Sequence, residues 1–138
     1  NSAPIGPLIE VQQYKTFGLL TSKDSARITG LTGVDVTRFD YALDRNSILH
    51  IRAEHGDAAT EKRRGQRGVT EADYAKLPAM LSDPDSLTDA GPTWKSGKPA
   101  VLIQKTIGFE EYFSVWEIRT GRKMLVLQSM WVRKRKTP

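Results

Sequence analysis

The chain contains no cysteine, which excludes disulfides, thiolate nucleophiles and cysteine-ligated zinc together and leaves the redox compartment open. Histidine is nearly as scarce: His50 and His55 are the two in the sequence, so a metal site would have to rest on them and on carboxylates. No window is long and apolar enough to span a membrane. The opening Asn1-Ser-Ala-Pro-Ile-Gly-Pro lacks the basic and apolar regions of a signal peptide. A glycine-rich phosphate loop is also missing, which ranks a nucleotide-dependent transferase last among the candidate functions. Internal repeats and low-complexity tracts are absent. With no initiating Met, the chain reads as an excised domain or a processed product.

What remains is ordinary for a globular protein. Hydrophobic residues make up 38% and charged residues 27% of 138 residues, which is too apolar for a disordered chain and enough for one packed core. Residues 1–7, with two prolines and a glycine, read as a linker or tether, and residues 8–138 as a single domain. Lysine and arginine total 21 against 16 acids, a net charge of +5 with a pI near 9.6. Such a field favours polyanions, nucleic acid above all, or an acidic protein partner.

Along the chain, residues 8–20 fit helix or strand equally well. Ser22 predicts a helix cap, with the helix ending by Arg27 or Ile28 and a turn at Gly30 and Gly33. Residues 34–37 and 39–43 alternate as short extended segments. Asp44-Arg-Asn-Ser47 supplies a break and a cap before a helix of about two turns over 48–55, closed by Gly56. Residues 57–68 hold Lys62, Arg63, Arg64 and Arg67 and read as an exposed basic loop. Thr70-Glu-Ala-Asp73 opens another helix, with Tyr74, Leu77 and Leu81 on one face and a kink or end at Pro78. Residues 82–94 form a loop with room for one short edge strand.

The last third is the clearest. Residues 100–106, 111–119 and 123–133 are rich in β-branched, aromatic and aliphatic side chains and predict an antiparallel meander, followed by the basic run Arg133-Lys-Arg-Lys136. The fold class is therefore α+β, with N-terminal helices packed on a C-terminal antiparallel meander.

Candidate chemistry centres on His50-Ile-Arg-Ala-Glu-His55-Gly56. Imidazole is the side chain whose unperturbed titration falls near neutrality. At roughly 100° per residue, Ile48, Ile51, Arg52 and His55 share one helix side while His50 points elsewhere. The two histidines are thus poorly spaced as joint metal ligands. His55 is either a general acid or base, or a helix-terminal imidazole donating to a carbonyl. If Gly108-Phe109 and Thr120-Gly121 are two-residue turns, Lys105 faces Tyr112 and Tyr112 faces Ser129, on the side that carries Val101, Ile103, Trp116, Leu125 and Leu127. Glu117 lies on the opposite side, where a solvated charge is the preferred reading. Trp131, Arg133 and Arg135, with Arg63, Arg64 and Arg67, suit base stacking and phosphate positioning.

Tyr41-Ala-Leu-Asp44, Ile48-Leu-His-Ile-Arg-Ala-Glu-His-Gly-Asp57, Gly65-Gln66, Val69-Thr-Glu-Ala-Asp73 and Leu77-Pro78, followed by Ile103-Gln-Lys105, Val115-Trp-Glu117 and Leu125-Val-Leu-Gln-Ser129, resemble a known family. It is the phage-associated branch of the barnase, EndoU, colicin and RelE-like (BECR) ribonucleases, matched from about residue 17 to residue 135. The resemblance implies a toxin nuclease that cleaves RNA, tRNA included, without metal or cofactor. It also implies the C-terminal part of a larger delivered polypeptide, acting in a target cell's cytoplasm and neutralised by an immunity protein. Where that family usually has Thr on the last strand, Ser129 keeps the hydroxyl.

On this reading His55, with His50 as the second candidate, is base or acid. Arg52 and Lys105 stabilise the phosphorane, Ser129 and Tyr112 orient the phosphate, and the product carries a 2′,3′-cyclic phosphate. The alternative is a non-catalytic nucleic-acid-binding or phage structural module with the same basic surface.

Overall fold

The computed structural model describes residues 14–45, 48–49, 51, 61–62, 65–93 and 96–135; the linker expected over 1–7 lies outside them. The three long strands form as the sequence predicts: β4 (Ala100–Ile107), β5 (Glu110–Arg119) and β6 (Met124–Lys134). They follow β1 (Tyr14–Leu19), β2 (Asp40–Asp44) and β3 (Ser86–Asp89). Gly108 joins β4 to β5 with φ at 63°, which a two-residue hairpin turn with a left-handed first position requires.

All six strands make one sheet in the order β1-β2-β6-β5-β4-β3. This corrects the expected division of helices first and strands last. The N-terminal half contributes β1 and β2, and β2 lies parallel to β6, pairing Tyr41 with Leu125. The sheet is therefore mixed. The physical reason is in β6 itself, where Leu125, Val126 and Leu127 are consecutive and all fully buried. A strand apolar on both faces belongs at the centre of a sheet, so its second edge needs a partner. β3 takes the edge position expected for the 82–94 segment, antiparallel to β4.

Three helices are fully bounded among the described residues. α1 (Ser22–Thr32) is capped by the Thr21 hydroxyl, which accepts the Asp24 N–H at 3.1 Å, and closed by Gly33 at φ 77°. It runs through Gly30 and beyond Ile28 because the left-handed stop comes only at Gly33. α2 (Glu71–Tyr74) begins at the predicted Thr70 signature, and α3 (Leu77–Ser82) has Pro78 in its first turn. The proline thus starts a helix after an interruption at Ala75 and Lys76, where its missing N–H costs nothing. Residues 34–37 are not a strand, because Asp35 turns the chain by accepting the Thr37 N–H at 3.0 Å. Ile48, Leu49 and Ile51 are helical, with both isoleucines buried and Leu49 exposed, as the predicted phase requires. Glu61 and Lys62 are helical too, and Glu61 is fully buried. Within the segment read as an exposed loop, these two described positions are helical and Glu61 packs inside. No described helix is long and apolar enough to cross a membrane.

Ile28 of α1 and Leu77, Met80 and Leu81 of α3 join one core with Val101, Ile103, Tyr112, Trp116, Ile118, Leu125, Leu127, Met130 and Val132. Tyr41 meets Trp116 edge-on at 5.2 Å. The helices thus cover one face of the sheet, the core face. The outer face carries Gln104, Phe113, Val115, Ser129, Trp131 and Arg133, all half-buried.

One irregularity decides which residues reach which face. From the β5–β6 turn, Arg119 pairs with Met124 and Trp116 with Leu127; then the register shifts, and Val115 pairs with Ser129 and Tyr112 with Val132. Gln128 is the extra residue of this bulge, and it reverses the alternation beyond it. With the bulge kept, inserting one alanine after Gln128 would reverse the alternation again and should turn Ser129, Trp131 and Arg133 toward the core, costing more than about 4 kcal/mol or abolishing cooperative unfolding. Gln128→Ala keeps the bulge and should melt near the wild-type temperature. Thermal unfolding followed by circular dichroism measures both.

Candidate active site

At the β4–β5 turn end of the core face, Arg67 anchors a polar cluster. Its backbone N–H donates to Val132 O at 2.9 Å, which ties the preceding segment to β6. Its guanidinium donates twice to Asp73, Nη1 to Oδ2 at 2.8 Å and Nη2 to Oδ1 at 2.7 Å, and its Nε and Nη2 donate to Glu110. Nη2 also reaches the Tyr112 hydroxyl at 3.1 Å, where Lys76 Nζ donates at 2.6 Å. Asp73 additionally accepts the Thr70 N–H at 2.8 Å, the returning half of a capping box. Two cations thus face two carboxylates around a phenol that is fully buried.

The charges adjust to one another. Burial pushes the Asp73 carboxyl up, but the hydrogen bonds from Arg67 and Thr70 outweigh it and hold the group below its usual range. The Arg67 hydrogen bond holds Glu110 down as well, and the hydrogen bond with Tyr112 raises Lys76. Arg67, expected on the substrate, has its guanidinium engaged by these carboxylates. Lys76, its side chain 40% exposed, is the cation of the cluster most open to solvent. Sequence reading missed it because Lys76 and Tyr112 lie far apart in the chain.

Lys105 pairs with Tyr112 in register, as expected. Its Nζ, however, turns to Asp83 at 3.4 Å and Asp85 at 3.3 Å. The expected row of Lys105, Tyr112 and Ser129 does not form: Ser129 pairs with Val115 and lies on the outer face. Two causes combine. Four residues, Thr120 to Lys123, connect β5 to β6 where two were assumed, and the bulge at Gln128 adds one more.

On the outer face, successive cross-strand rows bring Gln104 beside Phe113 and Phe113 beside Trp131. The Phe113 and Trp131 rings stack with centroids 5.3 Å apart and planes inclined by 7°, and the Arg133 guanidinium lies 4.8 Å from the Phe113 centroid. Arg133 Nε also donates to Glu111 at 3.0 Å. Ser129, Trp131 and Arg133 alternate along β6 onto this one face. Arg135 follows beyond the strand end, exposed. Stacked rings with a guanidinium and a hydroxyl suit a base and a phosphate. Phe113 was missed by the sequence reading, although its position opposite Trp131 follows once the register is known.

Glu117 lies on the outer face as expected but is not solvated. It is 3% exposed and accepts from Ser96 Oγ at 2.7 Å, Thr93 Oγ1 at 3.0 Å and Arg119 Nε at 2.7 Å. Arg119 in turn reaches Asp44 at 2.9 Å, which joins β5 to β2. Burial pushes the Glu117 carboxyl up, and these hydrogen bonds together hold it below its usual range. That makes it a poor proton acceptor and a firm brace.

His50, Arg52, His55, Arg63 and Arg64 lie outside the described residues. Among the described residues, no group of three or more His, Asp or Glu is placed to hold a metal ion. The family model described as phage-Barnase-EndoU-ColicinE5/D-RelE like nuclease3 matches residues 20–137. The chain belongs to this phage-associated nuclease family. No curated protein and no solved structure matches it.

Acid should reveal how much this nuclease depends on the Arg67 cluster. A carboxylate held below its unfolded value contributes stability that is present above the unfolded pKa, about 4, and lost as pH falls through the folded one. The urea midpoint should therefore decline below about pH 4. Asp73→Asn should remove much of that decline and cost about 3 kcal/mol or more at neutral pH, because Arg67 loses its most buried partner. An unchanged midpoint in Asp73→Asn would contradict the assignment.

Proposed function

We propose that this nuclease is an endoribonuclease toxin that cuts RNA, tRNA included, by acid–base chemistry without metal. The observation that carries the RNA reading is the stack of Phe113 and Trp131 under Arg133, on the same face as Ser129. Unpaired RNA bases seat on aromatic rings, and cations beside them meet the phosphates. The net charge of +5 supports the same choice.

Cleavage needs a base to take the ribose 2′-OH proton, so that the 2′ oxygen attacks phosphorus while an acid protonates the departing 5′ oxygen. The products are a 2′,3′-cyclic phosphate and a 5′-hydroxyl. His55 takes the base or acid role, with His50 as the second candidate, and Arg52 stabilises charge on the phosphorane. Ser129 donates its hydroxyl to a phosphate oxygen from the outer face. Lys105 and Tyr112 sit on the core face; Tyr112 positions Lys76 and Arg67 there, and neither contacts the phosphate in this reading. In the cell the domain acts as the C-terminal part of a delivered polypeptide, in the target cytoplasm, and an acidic immunity protein covers its basic surface.

The test is incubation of the purified protein with total tRNA and rRNA in EDTA. Cleavage should persist and leave cyclic-phosphate ends. His55→Ala should lower the rate by about 100-fold or more, and Trp131→Ala should raise KM more than it lowers kcat. RNA bound salt-sensitively but never cut would favour a non-catalytic binding module, and equal rates in His55→Ala would remove that residue from the mechanism.

A further inference from the structure

Phe109 is 82% exposed, the most exposed large hydrophobic residue among those described. It occupies the second position of the two-residue turn at the tip of the β4–β5 hairpin, after Gly108. Turn tips normally carry polar or small residues, and neither turn geometry nor core packing calls for a phenyl ring here. The backbone around it is firmly held. Phe109 O accepts the Arg135 N–H at 2.7 Å, so the chain leaving β6 runs beside the tip. Lys134 pairs with Glu110, and both Lys134 and Arg135 are exposed.

An aromatic ring held out on a rigid hairpin, flanked by cations, has the chemistry of a base-stacking contact with phosphate neighbours. Phe109 lies four positions before Phe113 of the outer-face stack, roughly 13 Å along the strand direction, a span that a few nucleotides of extended strand cover. We infer that Phe109 is a second stacking point, which receives an unpaired base while Lys134 and Arg135 hold its flanking phosphates, so that the protein selects RNA with unpaired nucleotides over continuous duplex. A base paired within a helix offers no free face to the tip, whereas a loop or single strand does.

The inference rests on the RNA reading and names its substrate class. It can fail separately, because binding can be measured without cleavage. The probes are a 2′-O-methyl RNA hairpin with an unpaired loop, which lacks the attacking hydroxyl, and a 2′-O-methyl duplex of the same stem. Phe109→Ala should weaken hairpin binding about tenfold and leave duplex binding unchanged, since stacking of one base contributes about 1–3 kcal/mol. Phe109→Trp should retain binding and show quenched fluorescence on adding the hairpin. An unchanged melting temperature in both variants confirms that folding is intact. Equal hairpin affinity in Phe109→Ala and wild type overturns the inference, as does an equal loss on hairpin and duplex. If the wild type still cuts RNA in either case, the ribonuclease reading stands without it. An effect of Phe109→Ala confined to binding an acidic protein would assign the tip to a protein partner and overturn it as well.

Discussion

A β-strand sends alternate side chains to opposite faces, and in β6 one extra residue resets that alternation. Before Gln128 the strand directs Leu125 and Leu127 to the core; after it, Met130 and Val132 take their place and Ser129, Trp131 and Arg133 emerge on the outer face. Were Gln128 a regular strand residue instead of an extra one, a guanidinium and an indole would face the helices, and the aromatic pair with Phe113 could not form. Both the packing of the core and the chemistry of the outer face depend on Gln128 being taken out of the alternation.

The division also separates two kinds of polar group. On the core face, Arg67, Lys76, Asp73 and Glu110 surround the Tyr112 phenol and balance one another, which suits bracing better than turnover. On the outer face, Glu117 is braced in the same manner by Arg119, Ser96 and Thr93, toward the β2 side of the sheet. The Phe113–Trp131 stack with Arg133 and Ser129 occupies the remainder, its side chains half-buried. Rigid carboxylate braces on both faces hold the platform in position.

Local signals were legible in the sequence. The three long strands, the Gly108-Phe109 turn, the edge strand β3 and the Thr70 helix start all follow from composition and spacing, as does the phase of Ile48 and Ile51. The residue motifs also pointed to the family that the family model confirms. What was not legible is long-range. Nothing local in residues 40–44 says that they pair in parallel with β6, and only the unbroken Leu125-Val126-Leu127 run hints that β6 is central. Nor does spacing reveal that Asp73, readable as a helix-start acid, serves Arg67 as well. The bulge left no local signature, so Ser129 was placed on the wrong face. One residue's parity was enough to mix two faces into one apparent site.

On the function proposed above, RNA is read on the outer face. Of the three tryptophans, Trp116 and Trp131 report on the two faces: Trp116, buried in the core, donates its N–H to Ser114 Oγ at 2.8 Å, and Trp131 lies in the outer stack. Titrating the nitrogen-15-labelled protein with a 2′-O-methyl RNA hairpin should shift the Trp131 indole resonance and leave that of Trp116 in place. A Trp116 resonance that moves while that of Trp131 stays would place the RNA on the other face.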